Sequence, residues 1–270
     1  MNTEIIHENT LYAEPIAHLG NFPITNAMLN SWLVLLIVVI LAVALRRSLK
    51  QVPRGLQNAM EMIVEGFLDL FDSVTGSRKK SLTFAPLVLA FFFFILLNNW
   101  SGILPGVGSI GQIVQHGNEK FFIPYFRGGT ADLNTTLALA TIAVVISHIM
   151  GVIAVGWWKY LNKFINIKAI LEIPKKFIKD PTILIVNPIK VFVGLIEIIS
   201  ELAKVASLSF RLFGNVFAGE VLLASMSAIL AFGLPLPFLF LEILVGLIQA
   251  LIFAMLVLTY LTINTSQEEH

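Results

Sequence analysis

No cysteine occurs among the 270 residues. That excludes disulfides, thiol nucleophiles and cysteine-ligated metals. Charge is scarce as well: 13% of the residues are Asp, Glu, Lys or Arg, against about 25% in an ordinary soluble domain. The two signs nearly cancel, leaving a net charge of +1, so bulk charge gives no reason to expect nucleic-acid binding. Internal repeats and low-complexity tracts are missing. The opening Met1-Asn2-Thr3-Glu4 has neither the basic start of a cleaved signal peptide nor the Arg-rich character of a transit peptide, so neither is expected. No metal-ligand set or cofactor motif is read. What fills the chain instead is apolar: 57% hydrophobic residues and a mean hydropathy of +0.84. This composition defines a polytopic membrane protein with an all-α fold.

The apolar runs place the spans. Residues 1–28 form a polar tail with Glu4, Glu8 and Glu14, and the first span is expected over 29–45. Arg46, Arg47, Lys50 and Arg54 follow it. Over 55–76, Met60, Ile63, Val64, Phe67, Leu68 and Phe71 share one side, with Glu61, Glu65, Asp69 and Asp72 on the other. That spacing is an amphipathic helix suited to the membrane interface. A second span is expected over 84–104, a Gly-rich loop over 105–132, and a third span over 134–158, ending at Trp157 and Trp158 as interfacial anchors. Basic residues from Lys159 to Lys179 come next. Asn187-Pro188 reads as an N-cap and first helical position of a fourth span, 188–231. After the turn Gly233-Leu234-Pro235 a fifth span covers 238–263. The whole is read as a single membrane domain.

Segments 46–80 and 159–179 hold seven and six basic residues, against Lys120 and Arg127 alone in the 105–132 loop. By the positive-inside rule the N-terminus faces out and the C-terminus in. A helix of 188–231 would be about 66 Å long, twice the ~30 Å hydrocarbon thickness. It must break, with Gly194 and Gly214 as candidate points, or lie steeply tilted. Spacing alone leaves both open.

Arg211 stands inside this fourth apolar stretch, and a guanidinium keeps its proton at any ordinary pH. At the bilayer centre it costs roughly 2.5–3.5 kcal/mol on insertion scales, so a chain retains it where it has a partner or a task. Glu197, Lys204 and Arg211 are seven residues apart and fall within about 40° on a helix. Ser207, Asn215 and Ala218 share the face, and such small neighbours admit a partner helix. Glu220 lies on the opposite side, about 13–14 Å further along, out of reach of Arg211. On the fifth span Glu242 and Gln249 form a polar stripe with Gly246, Phe253 and Tyr260. Antiparallel packing can bring Gln249 near Arg211 and Glu242 near Glu220. Plainer readings stand beside these: Glu197 and Lys204 snorkelling to headgroups, Glu220 at the interface, Gln249 as interhelical glue, and His148 as a packed histidine.

The run Ser207-Leu208-Ser209-Phe210-Arg211-Leu212-Phe213-Gly214-Asn215-Val216-Phe217-Ala218-Gly219-Glu220 resembles the signature of subunit a of rotary F-type ATP synthases. Pro23-Ile24-Thr25-Asn26 before Ser31-Trp32, Asn98-Asn99 before Gly102, Ala131-Asp132-Leu133-Asn134-Thr135-Thr136, and Gln249-Ala250 before Phe253 extend the likeness along nearly the whole chain. The resemblance implies a non-catalytic stator channel beside a ring of c subunits. It also implies five membrane helices, the last two a steeply tilted hairpin against the ring. Arg211 would face the ring's carboxylate, with Asn215 and Gln249 placing it. Glu220 and Glu242 would serve the outer half-channel, with Asp132 and Asn134 near its mouth and His148 a weaker lining candidate. Peripheral-stalk b subunits would contact the amphipathic and basic segments, and the setting would be a bacterial plasma membrane. Two departures stand out. Some bacterial relatives carry His where Glu242 stands, and many carry Pro where Val205 follows Lys204. A secondary transporter and a membrane scaffold are the competing readings. The first is disfavoured by the lack of repeats; the second predicts that Arg211→Lys is tolerated.

Overall fold

The computed structural model describes residues 5–6, 10, 12–48, 55–104, 106–116, 119–165, 183–230 and 233–266. Glu4, Glu8, Lys50, Arg54, Lys168, Lys175, Lys176, Lys179 and Ala231 lie outside the described residues. Seven α-helices carry most of the described chain: α1 (Asn26–Ser48), α2 (Leu56–Thr75), α3 (Arg78–Gly102), α4 (Leu133–Val155), α5 (Trp157–Ile165), α6 (Ile183–Ile229) and α7 (Pro235–Thr265). α1, α3, α4, α6 and α7 are long and apolar enough to cross a membrane. In such a setting a helix satisfies its own backbone groups, and no water is needed to do so.

α3 runs along α7, and α4 lies against both α6 and α7. Their shared core holds Val88, Phe91, Ile95, Ala140, Val144, Leu208, Leu212, Ala250, Phe253, Ala254, Val257 and Leu261, all buried. Small residues on α4 and α7 let the helix axes approach. α1 packs on α3 and otherwise exposes Leu33, Leu35, Leu36 and Ile40. The amphipathic α2 turns Leu68 and Phe71 inward onto α3 and α7. Its Phe67 ring lies 4.6 Å from that of Phe92. Gly76, at φ 65, caps it in the left-handed conformation, and Arg78 then reaches back to Asp69 and Asp72 at 2.9 Å each.

Two expectations are revised. α6 starts at Ile183, not at Pro188, so Asn187-Pro188 is no N-cap; the proline sits in the second helical turn. The 105–132 segment is not merely a loop. It folds into an antiparallel hairpin, β4 (Gly111–His116) with β5 (Glu119–Pro124), and the tail adds β1 (Ile5–Ile6) in parallel beside β5. β2 (Pro15–Leu19) and β3 (Phe22–Thr25) make a second hairpin leading into α1. α6 is one helix through both Gly194 and Gly214, 47 residues long and so about 70 Å. The described residues contain no break.

Candidate functional site

α6 has two unlike faces around Arg211. Leu208, Ser209, Leu212, Val216 and Gly219 are buried against the bundle. Ser207, Phe210, Arg211, Gly214, Asn215 and Ala218 are exposed. Among the described residues the Arg211 guanidinium has no hydrogen-bond or ion-pair partner. Asn215 Nδ2 donates to the Arg211 carbonyl at 2.9 Å, which fixes the amide on the same face. A Cβ added at Gly214 would meet nothing within 4 Å, so this glycine serves no packing inside the chain. The result is an exposed cation flanked by the small side chains of Ser207, Gly214 and Ala218 and by the larger Phe210. Gln249 of α7 is half-buried and is not hydrogen-bonded to Arg211.

Towards the α6–α7 turn stand the two acids. The Glu220 carboxylate is taken by Arg127, which is 7% exposed. Arg127 Nε donates to Glu220 Oε1 at 3.0 Å, and its terminal nitrogen donates to Oε2 at 2.9 Å. The same guanidinium donates to the carbonyls of Thr10 and Tyr12 at 2.8 and 3.1 Å. Such a fork fits a carboxylate on one side and leaves donors for the backbone on the other. Glu242 is buried at 9% exposure. Its carboxylate rests directly on Gly219 of α6, where any Cβ would overlap it. Glu220 is thus paired with Arg127, while Glu242 rests on the neighbouring Gly219.

The end of α3 fixes the rotation of α7 beside Glu242. Trp100 Nε1 donates to the Ile243 carbonyl at 3.0 Å, and Asn99 Nδ2 donates to the Gly246 carbonyl at 2.9 Å. Gly246 allows this approach, since a Cβ there would stand 3.1 Å from that of Asn99. Thr130 Oγ1 donates to Asn99 Oδ1 at 2.6 Å, and Asn30 Nδ2 donates to Ser101 Oγ at 2.7 Å. Asp132 and Asn134 sit at the start of α4 in a local role. Asp132 is its N-cap and accepts from the backbone N–H groups of Asn134 and Thr135 at 3.4 and 3.3 Å. It also accepts from Ala13 N at 3.4 Å, tying down the tail.

At the opposite end of the bundle His148 belongs to a polar cluster that the sequence did not reveal. Its Nε2 lies 3.2 Å from Glu201 Oε2, and its Nδ1 is hydrogen-bonded to the Tyr160 hydroxyl. Lys204 turns inward, donating to Glu201 Oε1 at 2.7 Å, with its ammonium 5.2 Å above the Tyr260 ring. Lys204 therefore does not simply snorkel. Burial pushes the Tyr160 phenol up to about 12, aided by the charges of Glu201 and Glu197. Among the described residues no group of His, Asp and Glu has the arrangement of a metal site.

Sequence had missed Arg127 and Glu201. Arg127 left one signal, a lone arginine five residues before Asp132 in a loop poor in charge. Glu201 left the i,i+3 spacing to Lys204.

Five membrane-length helices, with an arginine on one that has no partner among the described residues and two acids towards the α6–α7 turn, define a polytopic helical membrane protein. The family model described as "ATP synthase A chain" matches residues 28–262. "ATP synthase subunit a" of Moorella thermoacetica is 31% identical over 246 residues, covering 91% of this chain and 93% of that one. The protein of the same name from Syntrophobacter fumaroxidans is 34% identical over 242 residues, covering 89% and 84%. That of Campylobacter jejuni is 35% identical over 240 residues, covering 88% of each. The chain belongs to the ATP synthase subunit a family.

Proposed function

We propose that this chain is the stator channel of a rotary ATP synthase: it couples proton flow to rotation of a c-subunit ring and catalyses no ATP chemistry itself. The observation that carries this reading is Arg211, exposed on α6 without a partner among the described residues, between Ser207, Gly214 and Ala218. A cation within a membrane span is kept where an opposite charge meets it, and small neighbours let another helix come within reach. A ring carboxylate passing Arg211 is held ionised by the guanidinium. It must lose its proton to one half-channel on approach and regain one from the other after a turn. The fixed cation also repels a free proton, which closes the direct path between the half-channels. Each elementary charge crossing the membrane supplies about 2.3 kcal/mol per 100 mV.

In this reading Glu220 and Glu242 serve the outer half-channel, Asp132 and Asn134 shape its mouth, Asn215 and Gln249 help place Arg211, and His148 lies on the inner side. The c ring covers the open wall of α6. A 70 Å helix fits a ~30 Å core when steeply tilted, which lays that wall along the ring. Peripheral-stalk b subunits contact the amphipathic α2 and the basic segments. The N-terminus faces out and the C-terminus faces the cytoplasm of a bacterial cell.

The test is proton flux in vesicles carrying the whole complex, wild type against Arg211→Ala. ATP-driven pumping is expected to vanish, with either a passive leak or a block. Normal pumping without a leak overturns the reading.

A further inference from the structure

We propose that Glu201 and His148 form a proton-exchange site on the side of Arg211 away from Glu220 and Glu242, where protons pass between the Arg211 level and the bulk at the α5 end of the bundle. This rests on the stator reading and names residues for its second half-channel. Glu201 precedes Arg211 by ten residues on α6, about 15 Å along the axis, while Glu220 follows it by about 13–14 Å. Arg211 therefore stands near the midpoint between two buried or half-buried acids.

The two sites differ in chemistry. Glu220 is locked by a guanidinium, which gives up no proton. Glu201 is held by Lys204 and lies 3.2 Å from an imidazole, a group able to take up and release a proton. His148 is the only histidine in the membrane-length helices. Its side chain is 25% exposed and that of Glu201 is 11% exposed, so the ring links a buried carboxylate to the surface.

Tyr160, kept as a phenol by burial, is hydrogen-bonded to Nδ1. The other ring nitrogen, Nε2, lies 3.2 Å from Glu201 Oε2. When the ring binds a second proton the cluster passes from Lys⁺, Glu⁻ and neutral His, net zero, to net +1. When that proton leaves, the net charge returns to zero. Uptake breaks an O–H bond of a hydronium or of the passing carboxylic acid and forms an N–H bond on the ring; release breaks that N–H bond and forms an O–H bond on water or on the carboxylate. The groups facing this site are Tyr160 from α5, Glu197, Lys204 and Arg211 from α6, and Tyr260 from α7.

The test uses vesicles carrying the assembled complex, with the pH varied on the α5 side alone. His148→Gln and Glu201→Gln are each expected to lower flux by about 10²-fold, the usual contribution of a positioned proton-transfer group. In His148→Gln the dependence on pH is expected to disappear, and added imidazole is expected to restore flux. Tyr160→Phe is expected to move the profile and keep transport. Wild-type flux in both His148→Gln and Glu201→Gln overturns the proposal. So does a loss in His148→Gln that leaves the pH profile unchanged and that imidazole does not relieve, for that is a structural brace. If Glu201→Gln does not assemble, His148→Gln decides alone. An Arg211→Ala arm separates the two readings: if it uncouples while both other variants transport normally, only the exchange site fails.

Discussion

Gly219→Ala adds one methyl group where α6 carries the Glu242 carboxylate. All three terminal atoms of that carboxyl group lie within overlap of the new Cβ. The carboxyl is the end of a flexible side chain, so it rotates away and the helices stay in place. The stability cost is that of mild overpacking, about 1–3 kcal/mol. The functional cost is larger: a displacement of about 1 Å in a reacting group can lower a rate by about 10²-fold. In vesicles carrying the complex, Gly219→Ala is therefore expected to assemble and to transport protons about 10²-fold more slowly. Glu242→Asp in the same chain removes one methylene where the methyl was added and is expected to recover part of the flux. Gly214→Ala is the contrasting change. Nothing lies within 4 Å of a Cβ there, so thermal stability of the isolated subunit is expected to be unchanged, and any loss arises only once the complex is assembled. Wild-type flux in Gly219→Ala refutes a role for the Glu242 carboxylate at its observed position.

Glu220→Ala leaves Arg127 buried without its counter-charge, a change that costs about 3–5 kcal/mol in well-buried pairs. Glu220 is 33% exposed and two carbonyls remain bound to Arg127, so the low end of that range is expected. Glu220→Gln keeps an acceptor and is expected to unfold thermally between wild type and Glu220→Ala. Asp132→Ala removes the α4 N-cap and is expected to cost about 0.5–2 kcal/mol, with faster amide exchange at Asn134 and Thr135. Tyr160 is raised to about 12 by burial. The folded state thus binds a proton that the unfolded phenol loses at about 10, and stability is complete below pH 10 and lost as pH rises to about 12. Wild type is expected to lose that stability in alkali while Tyr160→Phe does not.

Apolar length and period made α1, α3, α4, α6 and α7 legible, because a membrane helix must be long and uniformly apolar. The face of α2 was legible from its alternating acids and aromatics. The strands were not. β1 pairs with β5 across more than a hundred residues, and segments this short carry no periodic signal. Arg211 stood out because the cost of a lone cation there is written in one residue. Arg127 and Glu201 did not, since their meaning lies in partners far along the chain: Glu220 for one, His148 and Tyr160 for the other. The stripe through Glu197, Lys204 and Arg211 did not show that Lys204 pairs with Glu201, three residues before it. Cβ direction fixes where a side chain starts, and the flexible stem decides where its charge ends.

The clamp of Arg127 also sets an order of events during synthesis. Its ligands are Thr10, Tyr12 and Glu220, from the first and last thirds of the chain. At roughly 5–20 residues per second, about 10–40 s separate the emergence of Thr10 from that of Glu220. Through that interval Arg127 can bind the Thr10 and Tyr12 carbonyls but has no counter-charge, and the clamp closes only after most of α6 has been made.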